Sequence, residues 1–319
     1  MAIENKDRWG ILFMPKPGVK HTHKRWEQIR KYLDQRGVAY DVIQSESLKS
    51  AAVYRLTRML IENGYRTLIV VGGDASLNAT LNGIMAYPDL VDEIRLGVIP
   101  NGFGNNFSHF WGYSEDEYKE TIDHLIRGRI RKIDVGICEY VKENVPHKRY
   151  FINAVNVGLS ASIIGMTEEA HRYVGVKFLA HIATSFMLIF ERKFYGLKAL
   201  INYEKVEESV MSVCIGSALG YGQTPNAVPY NGMVDVSIIT QPTELKQLLS
   251  GLWLLHWGKF LKSKKIRPYR TREIEILSAD HARISVDGRM IKGEAPLKVK
   301  VLQEKLNFII PSRPDFVPL

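Results

Sequence analysis

The sequence has little cysteine and no apolar run long enough to cross a bilayer. Two cysteines, Cys138 and Cys214, occur in 319 residues, whereas a secreted scaffold held by disulfides would use more. The longest apolar stretch, residues 179–190, ends at a charged triplet and is shorter than the ~18 residues that span a membrane. The first residues also lack the apolar region of a signal peptide. We therefore expect two buried free thiols in a cytoplasmic protein.

The charge balance is positive rather than acidic. The chain contains 43 Lys and Arg against 34 Asp and Glu, a net charge of +9, which favours phosphate, nucleic acid or an anionic membrane as a partner. We find no zinc spacing, helix-turn-helix pattern or aromatic-basic sheet motif, so nucleic acid is disfavoured. Because single hydrophobic cores usually stop growing at about 250 residues, this length predicts two domains.

The first part of the chain alternates strand and helix patterns. Residues 67–71 and 95–99 are apolar runs without alternation, which is typical of parallel strands covered on both faces. Helical spacing occurs at 23–36 and again from Leu77 to Met85. This βαβ alternation predicts an N-terminal doubly wound α/β nucleotide-binding domain over residues 1–130.

The pattern changes after residue 130. Short β-like runs separated by turns predict a C-terminal antiparallel β-sandwich-like domain over residues 131–311, followed by a tail at 312–319. Helical patterns at 175–192 and 243–262 predict a few helices packed on it. The β-like runs cover residues 132–138, 150–157, 197–203, 210–217, 234–240, 273–277, 282–286, 298–302 and 306–310.

A glycine-rich turn follows the buried strand at 67–71. Gly72 and Gly73 allow positive φ and close backbone approach to a ligand, and a helix beginning near Leu77 would direct its positive end to the same place. Asp74 beside a phosphate group suggests Mg²⁺ chemistry. A tight turn capped by Asp74 is the alternative reading of the local pattern.

A second loop rich in glycine and asparagine, residues 99–107, follows the next strand. In an open α/β sheet, ligands bind beyond the carboxyl ends of the strands, so both loops are expected to face one crevice. Together they predict a phosphate or nucleotide site. Lys16, in the segment after the first strand, would add positive charge there, unless it belongs to a solvated turn.

Five elements in order are similar to the diacylglycerol kinase catalytic family. Its first signature, GGDGTLNEVxNG, resembles GGDASLNATLNG at residues 72–83, and its second, PxGTxNDF, resembles PNGFGNNF at 100–107. Further elements resemble DVG at 134–136, PNA…NG at 225–232 and DGR at 287–289. The resemblance runs from Ile11 to Pro311. The family includes bacterial lipid kinases and sphingosine kinases, with NAD kinases as more distant relatives.

The resemblance implies ATP-dependent phosphorylation of a lipid hydroxyl, a step of phospholipid metabolism, in a crevice between the two domains. Mg²⁺ ligands would be Asp74 and Asp134, with Asn231 at the position of a structural Mg²⁺ ligand. The implied catalytic residues are Asp74 and Asp287, with Glu294 as an alternative proton acceptor. The implied nucleotide-binding residues are Lys16, Ser45, Gly72, Gly73, Asp74, Ala75, Ser76, Asn78, Gly102, Phe103, Gly104 and Asn105.

Several site positions depart from the family pattern. Ala75 replaces a glycine, so that its Cβ would oppose either positive φ or the close approach of a phosphate, and Phe103 replaces a threonine. Asn106 replaces an aspartate of the Mg²⁺ network, and Arg289 replaces the glutamate usually assigned as proton acceptor. Either Asp287 or Glu294 supplies the base, or the chain binds nucleotide or lipid without efficient transfer. The match of the second half to lipid-kinase elements disfavours an NAD kinase.

A membrane-contact segment is predicted near the end of the second domain. Residues 252–261 are apolar and aromatic, a composition found at membrane interfaces when basic residues adjoin it. A helix packed in the core is the alternative for Trp253. We expect peripheral association with an anionic membrane, and an exposed edge strand could pair two copies as a homodimer. The basic residues are Lys262, Lys264, Lys265, Arg267 and Arg270.

Overall fold

The computed structural model describes residues 5–14, 20–44, 50–102, 105–163, 193–240 and 259–312. The chain forms two compact units. The first unit contains residues 1–134 and 304–319, and the second unit contains residues 135–303. The predicted helical patterns at 175–192 and 243–258 lie outside the described residues, whereas Phe260–Lys262 form a short 3₁₀ turn.

The first unit is a parallel sheet with helices between its strands. Its strand order is β2-β1-β3-β4, and the end of β15 joins β4 in parallel through Asn307 and Phe308. Every residue of β3 is buried, as predicted for a strand covered on both faces. The elements are β1 (Trp9–Phe13), α1 (Lys20–Gln35), β2 (Tyr40–Gln44), α2 (Ser50–Glu62), β3 (Thr67–Gly72), α3 (Asp74–Ile84), β4 (Arg95–Pro100), α4 (Asn106–Phe110), α5 (Tyr118–Arg127) and the last residues of β15 (Glu294–Ile309).

The second unit is built of antiparallel strands. The order β14-β13-β7-β9-β8-β12-β15 forms its main path, β10 pairs with β9 and β11, and β5 pairs with β6 and β15. The predicted combination of an α/β domain and a β-sandwich-like domain is confirmed. The remaining strands are β5 (Ile130–Lys142), β6 (Val145–Phe151), β7 (Ala154–Gly158), β8 (Tyr195–Ile201), β9 (Glu204–Gly216), β10 (Val234–Thr240), β11 (Ile266–Thr271), β12 (Glu273–Ala279), β13 (Ile284–Val286) and β14 (Arg289–Ile291).

Each unit has its own apolar core. In the first unit, Phe13 of β1 stacks on Trp26 of α1 with ring centroids 4.6 Å apart. A β-carbon at Gly83 of α3 would lie 2.7 Å from Cβ of Thr57 in α2, so this glycine lets the two helices pack closely. The predicted buried free thiols are confirmed at Cys138 and Cys214, and burial raises the pKa of each to about 12.

Several elements differ from the sequence-based expectation, three of them in ways that bear on the site and on the two units. Helix α3 begins at Asp74, earlier than the predicted start near Leu77. The run at 150–157 forms two strands, β6 and β7, with a break at residues 152–153. The runs at 298–302 and 306–310 form one strand, β15, and because its end pairs with β4 the residues from 304 onward belong to the first unit.

Among the described residues, no helix combines the length and apolarity that a bilayer crossing requires.

Candidate active site

The glycine turn after β3 uses close packing rather than positive φ. Gly73 is extended, with φ −109° and ψ −176°, and the φ angle of Gly72 is not positive either. Neither glycine therefore uses the positive φ that its lack of a side chain allows. A β-carbon at Gly102 would lie 2.4 Å from Cα of Gly73 and 2.7 Å from its nitrogen. The two glycine-containing loops thus touch through their backbones.

Helix α3 presents its N-terminus at this turn. Its N-cap residue, Gly73, makes no side-chain capping bond, and the first N–H groups of a helix have no partner inside it. These groups and the helix dipole attract anions such as phosphate. Ala75 lies within the first turn of α3, so the expected conflict between its Cβ and positive φ does not arise. The backbone N–H of Ser76 donates a hydrogen bond to the carbonyl oxygen of Gly73 at 3.0 Å.

Asp74 links the two loops through its carboxylate. Oδ2 accepts the backbone N–H of Asn106 at 2.9 Å and its side-chain amide at 3.4 Å, and Oδ1 accepts the N–H of Phe107 at 3.2 Å. Burial raises the pKa of Asp74, while these N–H donors oppose that shift. Asn106 therefore removes a negative charge from the family pattern and adds a donor that binds Asp74.

Two asparagines of the second loop carry unpartnered buried atoms. Asn105 has φ +42°, and its Nδ2 donates to Gly102 O at 3.1 Å and to Glu115 Oε1 at 2.5 Å. Across the described chain we find no partner for Asn105 Oδ1 or Asn101 Nδ2. Buried polar atoms are normally hydrogen-bonded, so these two indicate a position that a ligand or an internal water fills.

The residues that orient Asn105 were missed in the sequence analysis. Glu115 holds the Asn105 amide and pairs with Arg25 at 3.4 Å. Arg25 lies far from Asn105 in the sequence, and neither Glu115 nor Arg25 belongs to a motif. No local sequence pattern therefore predicts this contact.

Two asparagines of α3 are hydrogen-bonded to each other within the helix. Asn78 is buried, and Asn82 Nδ2 donates to its backbone carbonyl at 2.9 Å and to its Oδ1 at 3.3 Å. With the packing role of Gly83, this part of the first signature has a structural explanation. The predicted nucleotide-binding residues Lys16, Ser45, Phe103 and Gly104 lie outside the described residues.

The predicted magnesium ligands differ in their fit to a cation. Asp134 is buried and its Oδ1 accepts Glu304 N–H at 2.9 Å, while exposed Asn231 accepts Met233 N–H at 2.9 Å. Within the described ranges, no three His, Cys, Asp or Glu side chains group as metal ligands. Mg²⁺ commonly uses one or two carboxylates together with substrate phosphates. Asp74 fits that mode, because a carboxylate has about four acceptor positions and three are used here.

The predicted catalytic aspartate of the second unit lies in a tight turn. Asp287 (φ +45°) and Gly288 (φ +79°) connect β13 to β14. Asp287 is 1% exposed, and its carboxylate accepts three backbone N–H groups, those of residues 152, 153 and 154, at 2.9, 3.0 and 2.9 Å. These bonds explain the break between β6 and β7, since the amides there turn toward Asp287.

Glu294, the alternative base, and Arg289, which departs from the family signature, lie on strands that are consecutive in the chain. Glu294 begins β15, is exposed, and its Oε2 lies 3.4 Å from His281 Nδ1. This is an ordinary surface pair, which contributes little to stability. Arg289 begins β14 and is partly buried.

The basic segment of the second unit is partly neutralised within the protein. Arg270 pairs with Asp235 at 2.6 and 3.1 Å, and Arg267 pairs with Glu208. Lys262 and Lys264 are exposed and Lys265 is half-buried, and in the part of the chain that is described none of the three forms an ion pair. The apolar residues 252–258 lie outside the described residues.

Comparison with known proteins assigns both halves of the chain. Residues 8–138 match the diacylglycerol kinase catalytic domain, and residues 153–310 match the YegS C-terminal NAD kinase beta sandwich-like domain. A diacylglycerol kinase of Staphylococcus carnosus is 23% identical over 311 residues, covering 96% of each chain. A Shewanella frigidimarina protein named probable lipid kinase YegS-like is 25% identical over 310 residues, covering 92% of each chain.

Solved structures share the fold. One chain from Bacillus anthracis strain Sterne superposes with a TM-score of 0.74 at 18% identity, covering 98% of this chain and 99% of its own. The crystal structure of a diacylglycerol kinase from the same organism gives a TM-score of 0.66 at 15% identity, covering 98% of both chains. The chain therefore belongs to the diacylglycerol kinase catalytic family and is a lipid kinase by class.

Proposed function

We propose that this protein transfers the γ-phosphoryl group of ATP to the hydroxyl of a diacylglycerol-like lipid, with Mg²⁺ as the accompanying cation. The observation that carries the proposal is the start of α3. A buried strand leads directly into a helix whose N-cap is glycine without a side-chain cap. The backbone contact between Gly73 and Gly102 places a second loop against that helix start. Such helix N-termini bind phosphate.

Asp74 has two roles in this proposal. It fixes the start of α4 through the N–H groups of Asn106 and Phe107, and it would hold the cation that accompanies ATP. When bound, Mg²⁺ neutralises charge that develops on the phosphate oxygens. Asp74 is the ligand we assign to it, with Asp134 as a residue that fixes the backbone of Glu304.

Asp287 is the proposed proton acceptor for the lipid hydroxyl. Hydrogen bonds from three backbone N–H groups favour the charged carboxylate. Phosphoryl transfer depends on positioning and charge neutralisation more than on a strong base. Glu294 is the second candidate, and its exposed pairing with His281 makes it the weaker one.

The lysines of the basic segment are proposed to attract an anionic membrane at the cytoplasmic face. Lys262, Lys264 and Lys265 have no ion pair in the described chain, in contrast to Arg267 and Arg270. Each basic residue near an anionic leaflet contributes about 1 kcal/mol. Replacing the three lysines by glutamine should weaken sedimentation with phosphatidylserine vesicles, whereas the same change at Lys24, Lys31 and Lys205 should not.

The proposed function is tested by phosphate transfer from labelled ATP, with Mg²⁺, to a panel of lipids in mixed micelles. We expect labelled lipid with the parent protein and strong loss with Asp74→Ala and Asp287→Asn. Asp92→Asn serves as a matched control, because Asp92 is an exposed carboxylate paired with Lys132.

Two outcomes would contradict the proposal. ATP binding without phosphate transfer to any lipid would favour the alternative that the protein binds nucleotide without efficient transfer. Absence of ATP binding would mean that the altered loop residues have removed the site.

The same assay distinguishes the two candidate proton acceptors. Full activity of Glu294→Gln together with loss of activity in Asp287→Asn would assign the proton acceptor to Asp287, provided that the Asp287→Asn variant remains folded.

A further inference from the structure

The side-chain amide of Asn105 in the second loop is held in one orientation. Its Nδ2 atom donates to Gly102 O at 3.1 Å and to Glu115 Oε1 at 2.5 Å, which uses both N–H groups of the amide. Because an ionised carboxylate only accepts hydrogen bonds, Glu115 selects the nitrogen side of the amide. The Oδ1 atom is thereby fixed on the opposite side, and among the described residues it has no partner.

Glu115 is held in turn by an arginine of α1. Arg25 Nη1 lies 3.4 Å from Glu115 Oε2, and its Nη2 lies 3.2 Å from Asp116 Oδ1. The Arg25 side chain is 12% exposed, that of Glu115 is 35% exposed and that of Asp116 is 92% exposed. Since pairs with solvent-exposed acids contribute little, Glu115 is the more important partner of this largely buried guanidinium. Arg25, Glu115 and Asn105 thus form one chain of polar contacts.

This chain of contacts ends at the turn proposed to bind phosphate. Gly102, whose carbonyl accepts the Asn105 amide, packs against Gly73 so closely that an added β-carbon would lie 2.4 Å from Gly73 Cα. Asn105 itself has φ +42°, a left-handed conformation that is uncommon outside glycine and that asparagine adopts more readily than most residues. The amide contacts therefore hold the second loop in the backbone conformation that brings Gly102 against the start of α3.

The ion pair also balances a charge that ATP would oppose. A carboxylate bound to the second loop would repel the phosphates of a nucleotide at the start of α3, because like charges raise each other's energy at short range. Arg25 places a cation beside Glu115. Glu115 can therefore orient Asn105 through an ionised acceptor without an uncompensated negative charge at the site.

We propose that Glu115, neutralised by Arg25, is a positioning residue for ATP. It fixes the Asn105 amide and, through that amide, holds the second loop against the start of α3. This inference rests on the proposed function, in which that helix start binds the phosphates of ATP. Glu115 and Arg25 do not touch the nucleotide in this proposal. The contribution of Glu115 to ATP binding should therefore require the Asn105 side chain.

A double-mutant cycle in ATP binding tests this dependence. The dissociation constant of ATP with Mg²⁺, without lipid, is measured by titration calorimetry for the parent, Glu115→Ala, Asn105→Ala and the double variant. We expect Glu115→Ala to raise the dissociation constant by about tenfold, which corresponds to one hydrogen bond to a charged group. In the Asn105→Ala background the same substitution should change it by less than about twofold, since residues that act through one another are not additive.

Conservative substitutions separate positioning from a merely structural role. Glu115→Gln retains an oxygen that accepts the Asn105 amide, so its ATP dissociation constant should lie within about threefold of the parent value. Arg25→Gln leaves Glu115 without its cation and should weaken ATP binding, and adding Glu115→Gln to that variant should restore most of the loss. The KM for lipid should stay at the parent value in these variants, because the contacts of Glu115 lie at the loop proposed to hold ATP.

Arg36→Gln is the matched control. Arg36 directly follows α1 and pairs with Asp123 of α5 at 3.0 Å, so its replacement removes a different ion pair between the same region of the chain and another acid of the first unit. The ATP dissociation constant should stay at the parent value in this variant. Thermal unfolding of every variant shows whether it remains folded at the temperature of the titration.

The outcomes separate this inference from the proposed function. An unchanged ATP dissociation constant in folded Glu115→Ala, or an equal effect of that substitution with and without the Asn105 side chain, would overturn the inference alone. If Glu115→Ala does not fold, a loss in Arg25→Gln that Glu115→Gln fails to restore would overturn it as well. Coupled ATP binding without phosphate transfer to any lipid would support the inference and overturn the proposed function. Failure of the parent protein to bind ATP would overturn both.

Discussion

The two aspartate turns of this lipid kinase use a carboxylate in the same way in different surroundings. Asp74 accepts backbone N–H groups from the start of α4 and lies partly exposed. Asp287 accepts three backbone N–H groups and is 1% exposed. The first of these aspartates is a partly buried residue, whereas the second is enclosed by the fold. An aspartate of a family signature can therefore contribute more to ligand binding in one turn and more to the stability of the fold in another.

The glycines beside these aspartates also differ, in their backbone conformation. Gly73 is extended, and Gly102 packs so closely against it that a β-carbon at Gly102 would clash with the Gly73 backbone. Gly288 has φ +79°, a conformation that other residues adopt only with strain. The first turn is shaped by the contact between two loops and the second by its own backbone. We therefore expect substitutions at the two turns to differ in how much they lower stability and how much they lower activity.

The largest loss of stability is expected from Asp287→Asn. Three buried N–H groups would lose an anionic acceptor, which we expect to lower the free energy of unfolding by about 3 kcal/mol. Urea denaturation followed by tryptophan fluorescence measures this change. Asp280→Asn is the matched control, because Asp280 also has positive φ and its carboxylate accepts one backbone N–H, from Gly196, at the exposed surface. Equal losses in the two variants would contradict the structural role of Asp287.

Gly102→Ala should have the next largest effect. Its β-carbon would lie 2.4 Å from Cα of Gly73, so the two loops must separate, with a loss of roughly 1–3 kcal/mol typical of overpacking. ATP affinity, measured by calorimetry, should fall with it because the same movement displaces the start of α3. Gly72→Ala is the control, since its β-carbon would come no closer than 3.2 Å to Ser76. Similar ATP affinities in the two variants would exclude the loop contact as a determinant of binding.

Asp74→Asn should change stability less than either variant above. The retained oxygen can still accept one N–H from α4, so the expected loss is about 1 kcal/mol, similar to removal of a helix cap. Phosphate transfer should nevertheless fall by about 10² or more, because electrostatic groups at the reacting centre have effects of that size. Parallel denaturation and transfer assays measure both quantities. A stability loss as large as that of Asp287→Asn would remove the distinction between the two turns.

The comparison also shows what local sequence could predict. Apolar strands ending in glycine, such as residues 67–72, identified the α/β unit and the candidate phosphate turn because strand burial and turn chemistry are local properties. The partners of Asp74 and Asp287 lie 32 and more than 130 residues away in the chain. Their structural roles depend on tertiary contacts, which no spacing of residues encodes.

The ends of elements were the other weak point of the prediction. Strand β15 was predicted as two strands because Gln303, Glu304 and Lys305 interrupt its apolar alternation. Those polar residues lie where the strand passes from the second unit to the first. The start of α3 was placed too late because Asp74, Ala75 and Ser76 resemble a loop, although the helix already includes them.

Ala75→Gly, which restores the residue of the family signature, should have the smallest effect. Because Ala75 lies in the first turn of α3, glycine gains no conformation that the turn requires and adds backbone entropy to the unfolded chain. We expect a loss of about 0.5–1 kcal/mol in the free energy of unfolding. The KM for ATP should change less than about twofold, since the backbone N–H remains in place at the helix start. A large fall in that KM would mean that nucleotide binding selects a positive φ at position 75, and the first turn would then resemble the second in depending on its own backbone.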